Sequence, residues 1–161
     1  YDIDMQKVIF MLAIHELGET VIGDLTQFQI SREKKERIEH EAVHKILSGL
    51  IDGEQIERIF LEFDAHKTAE AKFAYMCDKL ECDLQCKLYD EEGCVDLNDQ
   101  EDNETAANSH VKALLESEKT WSGMWLKFGQ EKYPYDENFM AVSEYAMKNT
   151  LSRCIKSTTV I

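Results

Sequence analysis

Proline occurs once and glycine seven times in 161 residues, which leaves too little turn chemistry for a protein of many strands and hairpins. Helices are therefore expected throughout: an all-α fold, in a single domain spanning residues 1–161. Also missing is the run of about 18 apolar residues that a membrane span needs; the longest uncharged apolar stretch is Val8–Ile14. Basic residues are in short supply, with 18 Lys+Arg against 32 Asp+Glu and a net charge of −14. A chain so poor in cations is not a sequence-independent nucleic-acid binder, which must neutralise phosphates, and does not dock on an anionic membrane surface. A small phosphate ester stays within reach if a bound cation neutralises it locally. The cysteines, Cys77, Cys82, Cys86, Cys94 and Cys154, are odd in number and show no C-x-x-C spacing. They read as reduced thiols of a cytoplasmic protein rather than a disulfide framework. An initiator Met is absent as well, and Tyr1 falls inside a helical pattern, so further residues are expected upstream.

What is present is helical periodicity. Met5, Val8, Ile9 and Leu12 fall at i, i+3, i+4 and i+7 and predict a first helix ending near Gly23-Asp24. Ser31 can cap a second, with Ile38, Ala42, Val43, Ile46 and Leu47 on its buried face, and Asp52 a third carrying Ile56, Ile59, Phe60 and Phe63. Thr68 can cap a long fourth helix to about Tyr89. Residues 90–108 hold eight acids and no Lys or Arg, the composition of a solvated loop or insertion. Asp96-x-Asn98 begins like a calcium loop, but Glu101 stands where the sharp turn requires Gly. Helices resume around His110–Trp121, and Asp136 can cap a last one to about Thr150.

Two clusters could carry chemistry. On a wheel of about 100° per residue, Glu16 and Glu19 project about 30° from the centre of the first helix's apolar stripe, and His15 about 70°. Acids on a core-facing stripe are costly unless paired or bound to metal, although a fraying helix end would expose them harmlessly. On the fourth helix Lys72, Lys79 and Asp83 share a solvent side, whereas Asp78, Glu81 and Gln85 fill a gap between two apolar faces. That second polar stripe either lines a groove or buried ion pair, or places Asp78 with His15 and Glu16 around a divalent ion, for which N and O ligands from separate helices are suited. The other cluster, His40-Glu41-Ala42-Val43-His44, matches the zinc-protease pattern H-E-x-x-H. Its two imidazoles project more than about 100° from their helix's apolar centre, which makes them a solvent-facing pair without the walled cleft of a catalytic zinc.

The run MLAIHELGETVIGDLT, followed by TAEAKFAYMCDKLECDLQCKLY, resembles the HD-domain metal-dependent phosphohydrolases, and most closely the branch containing 5′-deoxynucleotidases. The likeness is strong over Tyr1–Tyr89 and weak beyond, and rests on the combination of the H-acid-x-x-E helix, the GD turn and the D-K-L-E helix. It implies a divalent metal (Mn²⁺, Co²⁺, Mg²⁺ or Zn²⁺) held by His15, Glu16 and Asp78, with an upstream His ligand preceding Tyr1. Glu16 stands where the family's namesake Asp belongs. Glu19 and Asp24 match acids that line the substrate pocket. Glu19 is the candidate for proton transfer, because a carboxyl near a metal in an apolar pocket can be tuned toward neutral pH. Asp24 would orient the sugar or leaving oxygen. The implied substrate is a phosphate monoester such as a nucleoside 5′-monophosphate, and the other reading is a non-catalytic helical module that binds a nucleotide or partner. Trp125 and Tyr133, in an aromatic segment running to Tyr135, are expected either at a homodimer interface or in the monomer core.

Overall fold

The computed structural model describes residues 1–26, 28–100 and 103–151, and among them the only regular elements are helices. They fall into two compact units, 1–75 and 76–161, with one long helix crossing the boundary. No helix among the described residues is long and apolar enough to cross a membrane.

The first unit opens with α1 (Met5–Ile14), whose N-terminus is satisfied by Asp4, its carboxylate accepting from the Gln6 and Lys7 amides at 3.0 and 3.1 Å. The helix stops nine residues short of the expected Gly23. Residues 15–18 form successive turns, a short α2 (Glu19–Ile22) follows, and Gly23 leaves it at a φ of +80°. Next come α3 (Arg32–Leu47), α4 (Gly53–Ala65) and the start of α5 (Ala69–Glu91). Thr68 accepts from the Ala71 amide at 3.3 Å, as a cap should, and donates to Glu62 at 2.7 Å. Two cores form here. Val8 and Met11 of α1 pack with Phe63, Ala71 and Ala74, while Val43, Leu47 and Phe60 gather under Ile14 and Leu17.

This packing rotates α1 away from the expected stripe. Val8 and Met11 are buried, but Met5 and Ile9 are exposed. The four-residue pattern fits a wider arc than one helix–helix contact can cover, and α4 and α5 take the Val8–Met11 side.

In the second unit α5 is followed by α6 (Glu104–Ala107), α7 (Ser109–Glu118), α8 (Trp121–Lys132) and α9 (Glu137–Lys148). Asn108 caps α7, Thr120 caps α8, and Asp136 caps α9 by accepting from the Asn138 and Phe139 amides, the last as the sequence indicates. The described part of the acidic stretch 90–108 carries specific contacts. Asp90 and Glu91 complete α5, and Asp90 accepts from both the amide and the hydroxyl of Ser122, at 3.0 and 2.6 Å, joining α5 to the start of α8. Asp96 closes a small turn by accepting from the Asn98 amide at 2.8 Å, while Glu101 lies outside the described residues. The aromatic segment is a helix: Trp121, Trp125 and Phe128 run along α8 edge to face with centroids 6.2 and 5.5 Å apart. The four described cysteines, Cys77, Cys82, Cys86 and Cys94, are free thiols; Cys154 lies outside the described residues.

Candidate functional site

The break after Ile14 turns the His15–Glu16 pair around relative to the wheel projection. His15 keeps 17% of its side-chain exposure and Glu16 keeps 70%. The residue expected nearer the core is thus in solvent, and the one expected farther away is mostly covered. A helix wheel cannot anticipate this, because residues 15–18 leave the regular helix. His15 packs against Phe63 with centroids 5.2 Å apart. Its Nδ1 lies 2.7 Å from the Leu12 carbonyl, and since a carbonyl only accepts, Nδ1 carries the proton and donates. In the neutral ring Nε2 is then the nitrogen that carries the electron pair; it lies 3.8 Å from Glu16 Oε1.

Glu19, on the first turn of α2, faces α3. Its Oε1 lies 2.7 Å from Lys35 Nζ, and the same ammonium is 3.5 Å from Glu39 Oε1 one helical turn further along α3. All three side chains are at most a quarter exposed. Burial pushes the Glu39 carboxyl up; Lys35 opposes the shift and Glu19 adds to it. Burial alone would lower the Lys35 ammonium, but the two carboxylates outweigh it and the net shift is upward. Gly18 makes this seat possible, since a Cβ there would stand 3.0 Å from Glu39 Cβ. Asp24, past the Gly23 turn, is exposed.

Asp78 belongs to the second unit, on α5, with its side chain 18% exposed and an ion pair to Lys79 at 2.7 Å. Its inward placement agrees with the sequence pattern. Its neighbours on the helix do not: Glu81 is exposed, and Asp83, expected on the solvent side, is 2% exposed. Asp83 accepts from the Tyr135 hydroxyl at 3.1 Å. Burial lifts its carboxyl to about 7, the Tyr135 hydrogen bond and the Lys79 charge pulling the other way. Among the described residues no three His, Cys, Asp or Glu side chains converge as a ligand set. His15 and Glu16 are brought together.

The H-E-x-x-H pair divides between two partners. His40 Nε2 lies 2.5 Å from Asp64 and His44 Nδ1 lies 3.1 Å from Glu57, both on α4, while Glu41 pairs with Arg37 at 3.2 Å. His44 is exposed and His40 half-buried. Two imidazoles committed to different carboxylates, beside a Glu committed to an arginine, do not assemble a protease zinc site.

Lys35 and Glu39 are not singled out by the sequence, and Asp83 and Tyr135 read as a solvent-side acid and part of an aromatic segment, not as partners. A Lys-x-x-x-Glu spacing on α3 was available as a signal for the first two. Nothing local marks Asp83, whose partner is 52 residues away.

Comparison with known proteins adds an independent line. Residues 1–121 match the family model described as HD domain. The chain is 33% identical over 95 residues to 5′-deoxynucleotidase hdd1 of Schizosaccharomyces pombe, covering 55% of this chain and 48% of that protein. It is 36% identical over 95 residues to 5′-deoxynucleotidase HDDC2 of Dictyostelium discoideum, covering 56% and 50%, and 26% identical over 92 residues to HDDC2 of Homo sapiens, covering 55% and 45%. The chain spans about half the length of the curated relatives it matches. No solved structure matches it.

Proposed function

Because the chain belongs to the HD domain family, we propose that it carries a metal-dependent phosphohydrolase site whose substrate is a phosphate monoester, specifically a nucleoside 5′-monophosphate. Its relatives are 5′-deoxynucleotidases, which supports a nucleotide substrate. The observation that carries the reading is His15. Its N–H is spent on the Leu12 carbonyl at 2.7 Å, the outer hydrogen bond that orients a metal-binding imidazole and fixes its tautomer, and its other nitrogen is turned toward the Glu16 carboxylate. This donor set of one imidazole and a carboxylate suits a divalent ion.

His15, Glu16 and Asp78 would hold that ion, whether Mn²⁺, Co²⁺, Mg²⁺ or Zn²⁺. The chemistry it supplies is polarisation of a phosphoryl oxygen and a water acidic enough to attack near neutral pH. Glu16 carries one methylene more than Asp and reaches outward from an exposed position. Glu19, anchored by Lys35, takes the proton from the attacking water and returns it to the leaving oxygen. Asp24, exposed beyond the Gly23 turn, accepts a hydrogen bond from the sugar or the leaving hydroxyl. With a net charge of −14, the protein repels phosphate esters at a distance, so catalysis relies on local neutralisation and not on steering.

The test is phosphate release from nucleoside 5′-monophosphates with each of the four metals. Release that requires metal is the expected result; no release with any metal would favour the non-catalytic nucleotide-binding reading. The protein acts as a cytoplasmic homodimer in this scheme, with Trp125 or Tyr133 against the second chain, and light scattering showing a mass near 18.7 kDa would end the dimer part.

A further inference from the structure

The corner that presents His15, Glu16 and Glu19 is held to α3 at two adjacent points. Gly18 rests on the stem of Glu39 so closely that a Cβ would meet Glu39 Cβ at 3.0 Å, Cγ at 3.1 Å and Cα at 3.2 Å. One residue on, Glu19 Oε1 reaches Lys35 Nζ at 2.7 Å, and that ammonium also faces Glu39 at 3.5 Å. The backbone ties the same corner together, since the Glu19 amide donates to the Glu16 carbonyl at 3.0 Å and the Leu17 amide to the Ile14 carbonyl at 3.0 Å. A charge-assisted bond of this length fixes one oxygen of Glu19 and leaves the other to do chemistry. The ammonium has two carboxylates to serve, and the partly buried Glu39 fixes where on α3 it sits.

From this geometry we infer that Lys35 is the positioning residue for Glu19: it holds the Glu19 carboxylate in the orientation that proton transfer needs. Glu39 holds Lys35 from the other side, and Gly18 sets the distance between corner and helix. The inference rests on the phosphohydrolase reading and adds a residue to it. A merely structural ion pair would join α2 to α3 with the same contacts, so the distinction lies in what Lys35 does to turnover when Glu19 is absent.

The experiment is a double-mutant cycle on the active, metal-loaded protein with Glu19→Gln, Lys35→Met and the double variant, plus Lys35→Arg. Lys35→Met is expected to lower kcat at least tenfold, with KM for the nucleotide and metal affinity within threefold. In the Glu19→Gln background it is expected to change kcat less than twofold. Lys35→Arg, which keeps the charge and the donors, recovers most of the turnover and so covers the case in which Lys35→Met does not fold. Wild-type activity with an equal loss from Lys35→Met in both backgrounds, or with Lys35→Arg as inactive as Lys35→Met, overturns the positioning role alone. A wild-type protein with no metal-dependent phosphate release overturns the functional reading and the inference with it.

Discussion

Both units seat a glycine directly on an acidic side chain, and they treat the acid in opposite ways. In the first, Gly18 presses on the stem of Glu39, whose carboxylate keeps 14% of its exposure and shares the Lys35 ammonium with Glu19. In the second, Gly129 presses on the carboxyl group of Asp83, where a Cβ would come within 2.1 Å of Oδ2. Asp83 is 2% exposed, and the hydroxyl of Tyr135 is its bonded partner. Burial raises both carboxyls. The difference is the bonded partner: the Lys35 ammonium opposes the rise at Glu39, whereas at Asp83 a phenol hydroxyl does so, with the Lys79 charge adding to it. The first arrangement suits a site that moves protons, and the second suits a joint that is stable while its acid is neutral.

The largest expected effect is on the first unit's chemistry. Glu19→Gln keeps size and hydrogen bonding but removes the titratable group, so kcat should fall by about 10²–10⁴ with metal content unchanged. Wild-type turnover would show Glu19 to be only an anchor for Lys35, and the contrast with Asp83 would lose its functional meaning.

Next is the pH dependence of the second unit. An exposed Asp gives up its proton near 3.8, while folded Asp83 keeps it to about 7. Between those values the native state binds more protons than the unfolded state, so the contribution of Asp83 to stability is present below about 4, declines as pH rises through 7, and then levels off. Asp83→Asn mimics the protonated form and still accepts from Tyr135. Urea unfolding should find it more stable than wild type by on the order of 2–4 kcal/mol at pH 8, with the gap closing near pH 4. A gap independent of pH would mean Asp83 is ionised in the folded protein.

Gly129→Ala should cost about 1–3 kcal/mol, because its methyl overlaps a buried carboxyl with no room to withdraw. Gly18→Ala should cost about 1 kcal/mol by the same assay, since its methyl would stand 3.0–3.2 Å from Glu39, a tight contact and not the 2.1 Å overlap of Gly129. Equal costs would mean that the two glycine–acid contacts are equally rigid.

Much of this was legible in the chain itself. Asp136 and Thr68 cap where their side-chain chemistry says they can, and the Ala42–Val43–Leu47 and Phe60–Phe63 faces are buried as their spacing requires. The family's H-acid-x-x-E and GD signals were equally plain. What the sequence hid is tertiary. The break at residues 15–18 sets Gly18 against Glu39, twenty-one residues later, and it reverses the exposure of His15 and Glu16. Asp83 looks like a surface acid because the residues that bury it, Gly129 and Tyr135, lie far along the chain. The helix α8 hides in an aromatic segment whose rings could equally have served an extended strand or an interface.

The central claim, that the corner after α1 is a metal site, comes down to His15. Elemental analysis and metal titration of His15→Ala beside His44→Ala test it most directly. The account predicts that His15→Ala loses bound divalent metal, with affinity down about 10-fold or more, while His44→Ala binds like wild type. Unchanged stoichiometry and affinity in His15→Ala would contradict it.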